Sequence, residues 1–313
     1  MAKYCFGIDV GGTTVKCGLF ENDGTLVDKW EIVTRTENEG ENILPDIATA
    51  VKSKMQEKGI VKKDVAGIGI GLPGPVRKGV VSVAVNLHWG EKDVEKELGE
   101  LSGLPVSVGN DANVAALGEL WKGGAEGKKN AIVVTLGTGV GGGIIIEGKL
   151  VEGSHGAGGE IGHAHVDDDI EIPCNCGNTG CLEQFASATG IARLAREELA
   201  AHPEEESAIR GIDKVTAKNV FDAYKEGDVL SARVVEKFAK YLGKALGAFA
   251  AVADPEVIVI GGGVSKAGDC LVDVVAKYYK VYAFSACKNT QIALARLGND
   301  AGMYGSARLV LDK

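Results

Sequence analysis

The order strand, glycine turn, strand, tight turn, strand occurs twice in this chain of 313 residues and limits the folds that it can adopt. The first copy covers residues 4–27 and the second covers residues 131–151. A helical pattern follows each copy, at 42–58 and at 182–200. The sequence therefore predicts an internal duplication of one unit built from strands and helices.

The second glycine turn matches G-x-G-x-x-G at Gly137, Gly139 and Gly142, which is the spacing of dinucleotide-binding turns. In those turns the glycines follow a strand and open a helix, whose N-terminus receives the pyrophosphate. Here isoleucines and then Glu147-Gly148 follow the glycines, so a second strand and a tight turn are predicted instead. A nicotinamide site is therefore not expected, whereas the backbone N–H groups of a glycine hairpin can bind a phosphate.

The remaining segments alternate between strand and helix patterns, which predicts the α/β class. Strands are predicted at 65–72, 105–110 and 256–263, and helices at 91–101, 111–121, 230–252 and 264–279. The boundary between the halves is expected near Gly109–Asn110, with a smaller N-terminal domain at 1–109 and a larger C-terminal domain at 110–299. A C-terminal helix at 300–313 is a candidate to complete the smaller domain.

Composition and charge argue against several classes of partner. The formal net charge is -9 and no run of basic residues occurs, so neither nucleic acid nor a membrane is expected as a partner. The N-terminus has no leader pattern and no stretch approaches about 18 apolar residues, so a cytoplasmic protein with reduced cysteines is expected. Four cysteines lie alone on apolar segments and are predicted core residues: Cys5, Cys17, Cys270 and Cys287.

Three glycine-rich turns are candidate phosphate-binding sites. At the first, Asp9 ends an apolar strand, where its carboxylate can hold hydrated Mg²⁺, although an ordinary hairpin is an equal alternative for one such turn. Two glycine hairpins in equivalent positions of the duplicated halves could grip a triphosphate from both sides, and ATP is the expected ligand. The third turn follows a strand and precedes a helix, so a flat ligand could lie against its backbone. The candidate residues are Asp9, Gly11, Gly12, Thr13, Lys16, Thr138, Gly139, Gly261, Gly262 and Gly263.

Asp111 follows a predicted strand and opens a predicted helix. One interpretation is that its side chain caps the helix N-terminus. The other is that it accepts a proton from a substrate hydroxyl, because ligands of doubly wound sheets bind beyond the carboxyl ends of the strands. The sequence leaves both interpretations open.

A cluster of cysteines predicts a metal site. Cys174, Cys176 and Cys181 supply three thiolates within eight residues, and an upstream histidine can complete a tetrahedral Cys₃His site for zinc. A disulfide would leave one thiol over and does not suit a reducing compartment. Because four protein ligands close the coordination sphere, this zinc is expected to be structural.

Three histidines compete to be the fourth ligand. His163 is preferred, because Gly162 gives its backbone freedom and Glu160 would point into the same site. His155 and His165 remain alternatives, since spacing alone does not separate them.

These motifs together resemble the ROK family (repressor, open reading frame, kinase) of sugar kinases, within the actin and hexokinase superfamily, over nearly the whole chain. The motifs are DVGGTTVK from Asp9, LGTGVGGG from Leu136, EIGH from Glu160, CNCGNTGCLE from Cys174 and VIGGGVS from Val259. The resemblance implies a duplicated actin/hexokinase-like (ribonuclease H-like) α/β fold of two domains with a central cleft. It also implies ATP and Mg²⁺ as cofactors and a homodimer or homotetramer.

The resemblance further implies the roles of individual residues. Asp111 would be the catalytic base, and His163 would bind zinc through one ring nitrogen and a sugar hydroxyl near the other. The residues implied to bind the sugar are Gly74, Asn86, Asn110, Asp111, Glu160, His163 and Glu183.

The segment 181–195 is most similar to the bacterial glucokinases of the family, which implies phosphoryl transfer from ATP to the 6-hydroxyl of glucose. N-acetylmannosamine, N-acetylglucosamine, mannose and fructose stay open as substrates. A family repressor would need a helix-turn-helix segment before the first glycine turn, which begins too early in this chain to leave room for one. A superfamily ATPase without a sugar substrate would lack the cysteine cluster and the sugar-facing acids.

Overall fold

Two five-stranded sheets organise the computed structural model of this protein, which describes residues 2–312. The strands are β1 (Tyr4–Val10), β2 (Thr14–Glu21), β3 (Leu26–Val33), β4 (Val65–Leu72), β5 (Val76–Arg77), β6 (Val80–Val81), β7 (Lys92–Asp93), β8 (Val106–Asn110), β9 (Ala131–Leu136), β10 (Val140–Ile146), β11 (Lys149–Leu150), β12 (Val257–Gly261) and β13 (Gln291–Leu294). The helices are α1 (Glu37–Gly40), α2 (Ile43–Lys58), α3 (Val94–Ser102), α4 (Asp111–Lys122), α5 (Glu183–Ala186), α6 (Ala188–Ala201), α7 (Ala217–Lys225), α8 (Val229–Ala253), α9 (Asp269–Tyr282) and α10 (Ala301–Leu311).

The two sheets have the same strand order, which reflects the repeated sequence pattern. The first sheet runs β3-β2-β1-β4-β8, with β1 antiparallel to β2 and parallel to β4. The second runs β11-β10-β9-β12-β13, with β9 antiparallel to β10 and parallel to β12. In each sheet a hairpin therefore leads into parallel strands joined by helical crossovers. The prediction of a duplicated α/β fold is confirmed.

The chain divides into two compact units. Unit 1 contains the residues up to Gly127, Lys149–Gly158 and the residues from Leu297 onward, and unit 2 contains Lys128–Gly148 and Gly159–Arg296. The core of unit 1 lies between its sheet and α2 and α3, and that of unit 2 includes α6, α8 and α9 beside the second sheet. The small sheet β5-β6-β7, which the sequence did not predict, belongs to the range of unit 1.

Close backbone packing places α4 and α10 together in unit 1. A Cβ atom on Gly118 of α4 would lie 2.2 Å from the carbonyl oxygen of Ala301, and one on Gly305 of α10 would lie 1.5 Å from that of Val114. No side chain fits at either position, so the glycines allow the two helices to approach. Because α4 packs on α10, it belongs to unit 1. The first boundary between the units therefore lies at Gly127–Lys128, whereas the sequence predicted it near Gly109–Asn110.

Two predicted helices are each interrupted. The helix expected at 182–200 is broken at Ser187, whose backbone is extended and whose Oγ accepts a hydrogen bond of 2.9 Å from Gly190 N–H, so that α6 starts afresh. The helix expected at 264–279 begins instead as a 3₁₀ turn, Gly263–Ala267, and α9 follows only after Gly268. Gly268 has φ +80°, a conformation that favours glycine and ends a helix.

The isolated cysteines lie in or beside the cores. Cys5, Cys17 and Cys287 are buried, as predicted, whereas Cys270 on α9 is only half-buried. Its thiol donates to the carbonyl oxygen of Ala267 at 3.3 Å, so it satisfies a backbone group at the start of the helix. Across the described range 2–312, no helix is both long and apolar enough to pass through a membrane.

Candidate active site

The first glycine turn, between β1 and β2, is held by a threonine that the sequence did not single out. Gly11 N–H donates to the carbonyl oxygen of Thr14 at 3.0 Å. The hydroxyl of Thr34, just after β3, donates to the carbonyl oxygen of Gly11 at 2.7 Å, and its N–H donates to that of Thr13 at 2.9 Å. Thr34 thus stabilises the turn from the end of the neighbouring strand. No local sequence pattern indicated this role, because the role depends on strand pairing.

Asn86 lies beside this turn. It belongs to the 3₁₀ turn Val85–Leu87 that follows β6, and its side chain is exposed. A Cβ atom on Gly12 would lie 3.5 Å from the Cβ of Asn86. Unit 1 therefore brings a candidate sugar residue next to a candidate phosphate turn.

Asp9 and Lys16 are directly paired across β1 and β2. Burial raises the pKa of Asp9 to about 6, Lys16 opposes that shift, and the charge of Asp111 adds to it. Lys16 Nζ also donates to the carbonyl oxygen of Asn299 at 2.8 Å. A half-buried carboxylate that is still ionised at neutral pH suits the binding of a hydrated divalent cation.

Asn110, and not Asp111, caps α4. Asn110 Oδ1 accepts hydrogen bonds from Ala112 N–H at 3.0 Å and Asn113 N–H at 3.2 Å, while Asn110 Nδ2 donates to the carbonyl oxygen of Gly74 at 3.0 Å. The N-cap interpretation of Asp111 is therefore wrong. The cap falls one residue earlier because the backbone of Asn110 is extended and Asp111 is already helical.

The Asp111 carboxylate is left available for chemistry. Its Oδ1 accepts a bond of 2.8 Å from the adjacent Ala112 N–H, and the side chain is open to solvent. The protein packed around it nevertheless raises the pKa of Asp111, with the bonds from Ala112 and Asn110 acting in the opposite direction. A raised pKa brings a carboxylate closer to the range in which it can accept a proton during catalysis.

Gly74 stands where no other residue fits well. Its φ is +109°, and a Cβ atom there would lie 2.2 Å from the carbonyl oxygen of Val83. The glycine therefore allows the chain to pass close to the segment that leads to Asn86, while its own carbonyl oxygen orients Asn110.

The second glycine turn, between β9 and β10, is bonded to the start of α5 and α6. Val140 N–H donates to Glu183 Oε2 at 2.9 Å. Ala188 N–H donates to the carbonyl oxygen of Gly137 at 2.8 Å, and the Thr189 hydroxyl donates to that of Thr138 at 2.7 Å. Each of the three bonds joins the turn to a residue from one short segment, 183–189.

The predicted Cys₃His cluster forms within unit 2. The ligand atoms of His163, Cys174, Cys176 and Cys181 all lie within 4.8 Å of one another. Cys176 Sγ is 3.6 Å from Cys181 Sγ, and Cys174 Sγ is 3.6 Å from His163 Nδ1. Three thiols and an imidazole at this spacing match the donor set of a structural zinc site.

The two competing histidines lie elsewhere. The ring nitrogens of His165 contact the carbonyl oxygen of Thr179 at 3.0 Å and Asp168 Oδ1 at 2.8 Å, so they face away from the thiols. His155 lies in the Lys149–Gly158 segment, which belongs to unit 1. Among the residues that the structure describes, His163 is the histidine grouped with the three cysteines.

The other ring nitrogen of His163 faces Glu160. Nε2 lies 4.0 Å from Oε2 of Glu160, the residue directly before the 3₁₀ turn Ile161–His163. Gly162 is required here by close packing rather than by backbone freedom, because a Cβ atom there would lie 2.0 Å from the carbonyl oxygen of Val140. Nδ1 of His163 is thus directed to the thiols, whereas Nε2 and the Glu160 carboxylate remain available to a polar ligand.

The third glycine turn follows β12. Gly262 has φ +82°, and a Cβ atom there would lie 2.5 Å from the carbonyl oxygen of Leu136, so the turn packs directly on the end of β9. Beside it is a mainly apolar cavity of about 280 Å³. The cavity is lined by Ala188, Thr216, Ala217, Lys218, Phe221, Asp222, Gly263, Val264, Lys266 and Ala267. Sequence reasoning missed the α7 residues, because an amphipathic helix looks the same whether its apolar face meets a core or a ligand.

Comparison with known proteins gives the same family as the sequence motifs. A model of the ROK family matches residues 5–313. A glucokinase of Halalkalibacterium halodurans is 45% identical over 314 residues, which cover 98% of this chain and 95% of that protein. A glucokinase of Streptomyces coelicolor is 34% identical over 97% of this chain and 96% of its own length.

Solved structures give the same result. The structure of a ROK family glucokinase from Streptomyces griseus, in complex with glucose and AMPPNP, has a TM-score of 0.77 and 33% identity, covering 99% of this chain and 100% of that one. A ROK hexokinase from Thermus thermophilus has a TM-score of 0.81 and 30% identity, covering 98% and 97%. Because the family model and these relatives cover nearly the whole sequence, the chain belongs to the ROK family.

Proposed function

We propose that this protein is a glucokinase, which transfers the γ-phosphoryl group of ATP to the 6-hydroxyl of glucose. The observation that carries the proposal is the Asp111 carboxylate at the start of α4, which is not the helix N-cap, is open to solvent and has a raised pKa. The identity of 45% between this chain and a glucokinase supports the choice of glucose as the substrate.

Asp111 is proposed to be the catalytic base. It accepts the proton of the sugar hydroxyl as the oxygen forms its bond to the γ-phosphorus and the bond from phosphorus to the β,γ-bridging oxygen of ATP breaks. Phosphoryl transfer requires mainly positioning and charge neutralisation, which backbone N–H groups of the glycine turns at 11–13 and 138–139 can supply. Asp9 is proposed to hold hydrated Mg²⁺, and Lys16 adds positive charge beside it.

Polar residues within each unit are proposed as candidates to bind sugar hydroxyl groups. In unit 1 the Asn110 side chain is oriented by Gly74, and Asn86 lies nearby on its own turn. In unit 2 the polar groups are Glu160, His163 and Glu183. A site built to bond hydroxyl groups can reject analogues that lack one by a factor of about 10⁴, so the choice among hexoses is expected to depend on these residues.

The Cys₃His cluster is proposed to hold one structural zinc ion. Three thiolates and His163 Nδ1 would complete its coordination, which leaves no open position for a substrate. The ion would fix the conformation of residues 174–181 and the orientation of the His163 ring, while His163 Nε2 and Glu160 bind the sugar.

The apolar cavity beside the third glycine turn is proposed to receive the adenosine of ATP. Phe221 and Val264 supply carbon surface, and Gly263 lets a flat base lie against the backbone. The cavity adds binding energy at a distance from the reacting phosphorus, which serves to position the triphosphate.

A coupled assay of ADP release tests the proposed function. Glucose, mannose, N-acetylglucosamine, N-acetylmannosamine and fructose are compared at matched concentrations, and glucose is expected to give the highest kcat/KM. A higher value for another hexose would reassign the substrate. ATP turnover that does not depend on any added sugar would overturn the kinase assignment.

On family membership we also propose a homodimer or homotetramer, and a cytoplasmic location in which the thiols stay reduced. A monomer mass by light scattering at micromolar concentration would contradict the first point. Recovery of the protein outside the cytoplasmic fraction would contradict the second.

The activity is expected to fall at acid pH. Because the pKa of Asp9 is raised to about 6, its carboxylate takes up a proton as the pH falls through that value, and the proposed binding of Mg²⁺ is lost. Measured kcat/KM should therefore decline by about tenfold per pH unit below about 6, as expected for one essential ionisation of the free enzyme.

A charge change beside Asp9 provides the control. Lys16 lowers the pKa of Asp9, so Lys16→Met should move the inflection of the kcat/KM profile to higher pH, whatever its effect on the maximum rate. An inflection that stays in place would show that Asp9 does not set the profile.

A further inference from the structure

Glu183 contacts two parts of unit 2 that the proposed function treats separately. It is the first residue of α5 and lies two positions after Cys181. Its Oε2 accepts the hydrogen bond of 2.9 Å from Val140 N–H, at the end of the second glycine turn. Its Oε1 lies 3.7 Å from Cys174 Sγ, in the Cys₃His cluster.

The glycine turn is shaped around this carboxylate. A Cβ atom on Gly139 would lie 2.2 Å from Glu183 Oε2, so the carboxylate occupies the space that a side chain would need. A carboxylate so close to a turn that binds phosphates repels them, which argues against a direct role in binding the nucleotide. Its bond to Val140 N–H instead fixes where the turn ends and β10 begins.

The segment that follows Glu183 holds the other end of the same turn. Ala188 N–H donates to the carbonyl oxygen of Gly137 and the Thr189 hydroxyl donates to that of Thr138, so the segment 183–189 spans the turn from Val140 to Gly137. The segment is in turn anchored at the cluster, because Leu182 N–H donates to the carbonyl oxygen of Ala164, next to His163, at 2.9 Å. Movement of Cys181 or His163 would therefore displace the three bonds between this segment and the turn.

We propose that Glu183 is a positioning residue that couples the Cys₃His cluster to the second glycine turn, so that occupancy of the cluster by zinc raises the affinity for nucleotide. This inference depends on the proposals that the turn binds phosphate and that the cluster binds zinc. It adds a role for Glu183 that is independent of the sugar.

The test measures nucleotide binding without sugar. The dissociation constant of a non-hydrolysable ATP analogue with Mg²⁺ is measured by calorimetry for the metal-loaded protein and for protein treated with a zinc chelator. Glu183→Ala removes a hydrogen bond to a charged group and should weaken binding by about tenfold. Glu183→Gln keeps an acceptor oxygen for Val140 N–H without the negative charge, so it should bind as tightly as the wild type or more tightly.

The decisive experiment combines zinc chelation with the substitution Glu183→Ala. Chelation should weaken binding to the wild type by about tenfold but have little further effect on Glu183→Ala, because the coupling is already lost. Glu256→Ala is the matched control, since Glu256 also accepts backbone N–H bonds in unit 2, from Lys129 at 2.7 Å and Asn130 at 3.1 Å, but at the opposite end of β9. It should leave the dissociation constant unchanged.

Amide hydrogen exchange of residues 138–140 provides a readout that does not require a ligand. The Val140 amide should exchange faster in Glu183→Ala and in chelated wild type, and at the wild-type rate in Glu183→Gln and Glu256→Ala. Equal effects of chelation on the wild type and on Glu183→Ala, or unchanged exchange at Val140 in Glu183→Ala, would overturn the coupling. Failure of every variant to bind the analogue would instead count against the proposed nucleotide site, while the exchange rates still decide the coupling.

Discussion

Replacing Asp111 with Asn is expected to lower kcat by about 10³-fold, within the range that a general base contributes. The amide has the shape of the carboxylate and can still accept the bond from Ala112 N–H, but it cannot take the proton of the sugar hydroxyl. The Kd for glucose should change little, because the loss is confined to the transition state. Steady-state kinetics and glucose titration by intrinsic fluorescence measure the two effects.

The stability of this variant distinguishes a chemical loss from a structural one. The pKa of Asp111 is raised in the folded protein, so its ionisation at neutral pH lowers the free energy of unfolding. Asp111→Asn removes that charge and should leave the free energy of unfolding unchanged or higher, measured by urea denaturation. Asp269→Asn, a change at the first residue of α9, is the matched control and should retain full activity. A variant Asp111→Asn that keeps more than about a tenth of the wild-type kcat would refute the assignment.

Replacing Cys176 with Ser should remove the metal and, with it, most of the affinity for the sugar. Purified wild type is expected to contain about one zinc ion per chain, whereas the variant should contain almost none, because a serine hydroxyl is a poor zinc ligand. The KM for glucose should rise by about 100-fold, since His163 and the segment leading to Glu183 lose their fixed positions. The affinity for nucleotide should fall less, by the roughly tenfold assigned to the coupling through Glu183.

Elemental analysis and kinetics check these outcomes together. Cys270→Ser is the control, because this thiol lies outside the cluster and its hydrogen bond to Ala267 can be made by a hydroxyl. It should keep both the zinc and the wild-type KM. Wild-type protein without zinc would remove the metal site, and a zinc-free Cys176→Ser protein with an unchanged KM would remove its proposed role in sugar binding.

The sequence predicted the strands better than the helix limits. The segment 65–72 was predicted with the observed bounds of β4, and β1 begins at residue 4, where the first copy of the repeat was predicted to begin. Buried strands are short apolar runs between turn residues, which makes their limits visible. The helix at 182–200 was predicted as continuous, since most of its residues favour a helix. Its break lies at Ser187, next to the bond from Ala188 N–H to the carbonyl oxygen of Gly137 in the turn between β9 and β10.

In the candidate site, too, some features could be predicted from the sequence and others required the structure. The glycine turns and the cluster of cysteines were visible in the sequence, because tight turns and metal ligands need particular residue types at close spacing. The sequence left open whether Asp111 caps α4, and excluding that role required the backbone of Asn110 and the position of Gly74.

The sequence by itself determined the duplicated α/β order, the glycine turns and the three cysteines of the candidate metal site, all of which are encoded over short distances along the chain. Only the tertiary structure decided that Asn110 caps α4, that His163 rather than His165 faces the thiols, and that the α7 residues line a cavity. The bond between Glu183 and Val140 joins residues 43 positions apart, so no local pattern could predict it. Such contacts arise when elements pack, and packing depends on the whole chain rather than on any one segment.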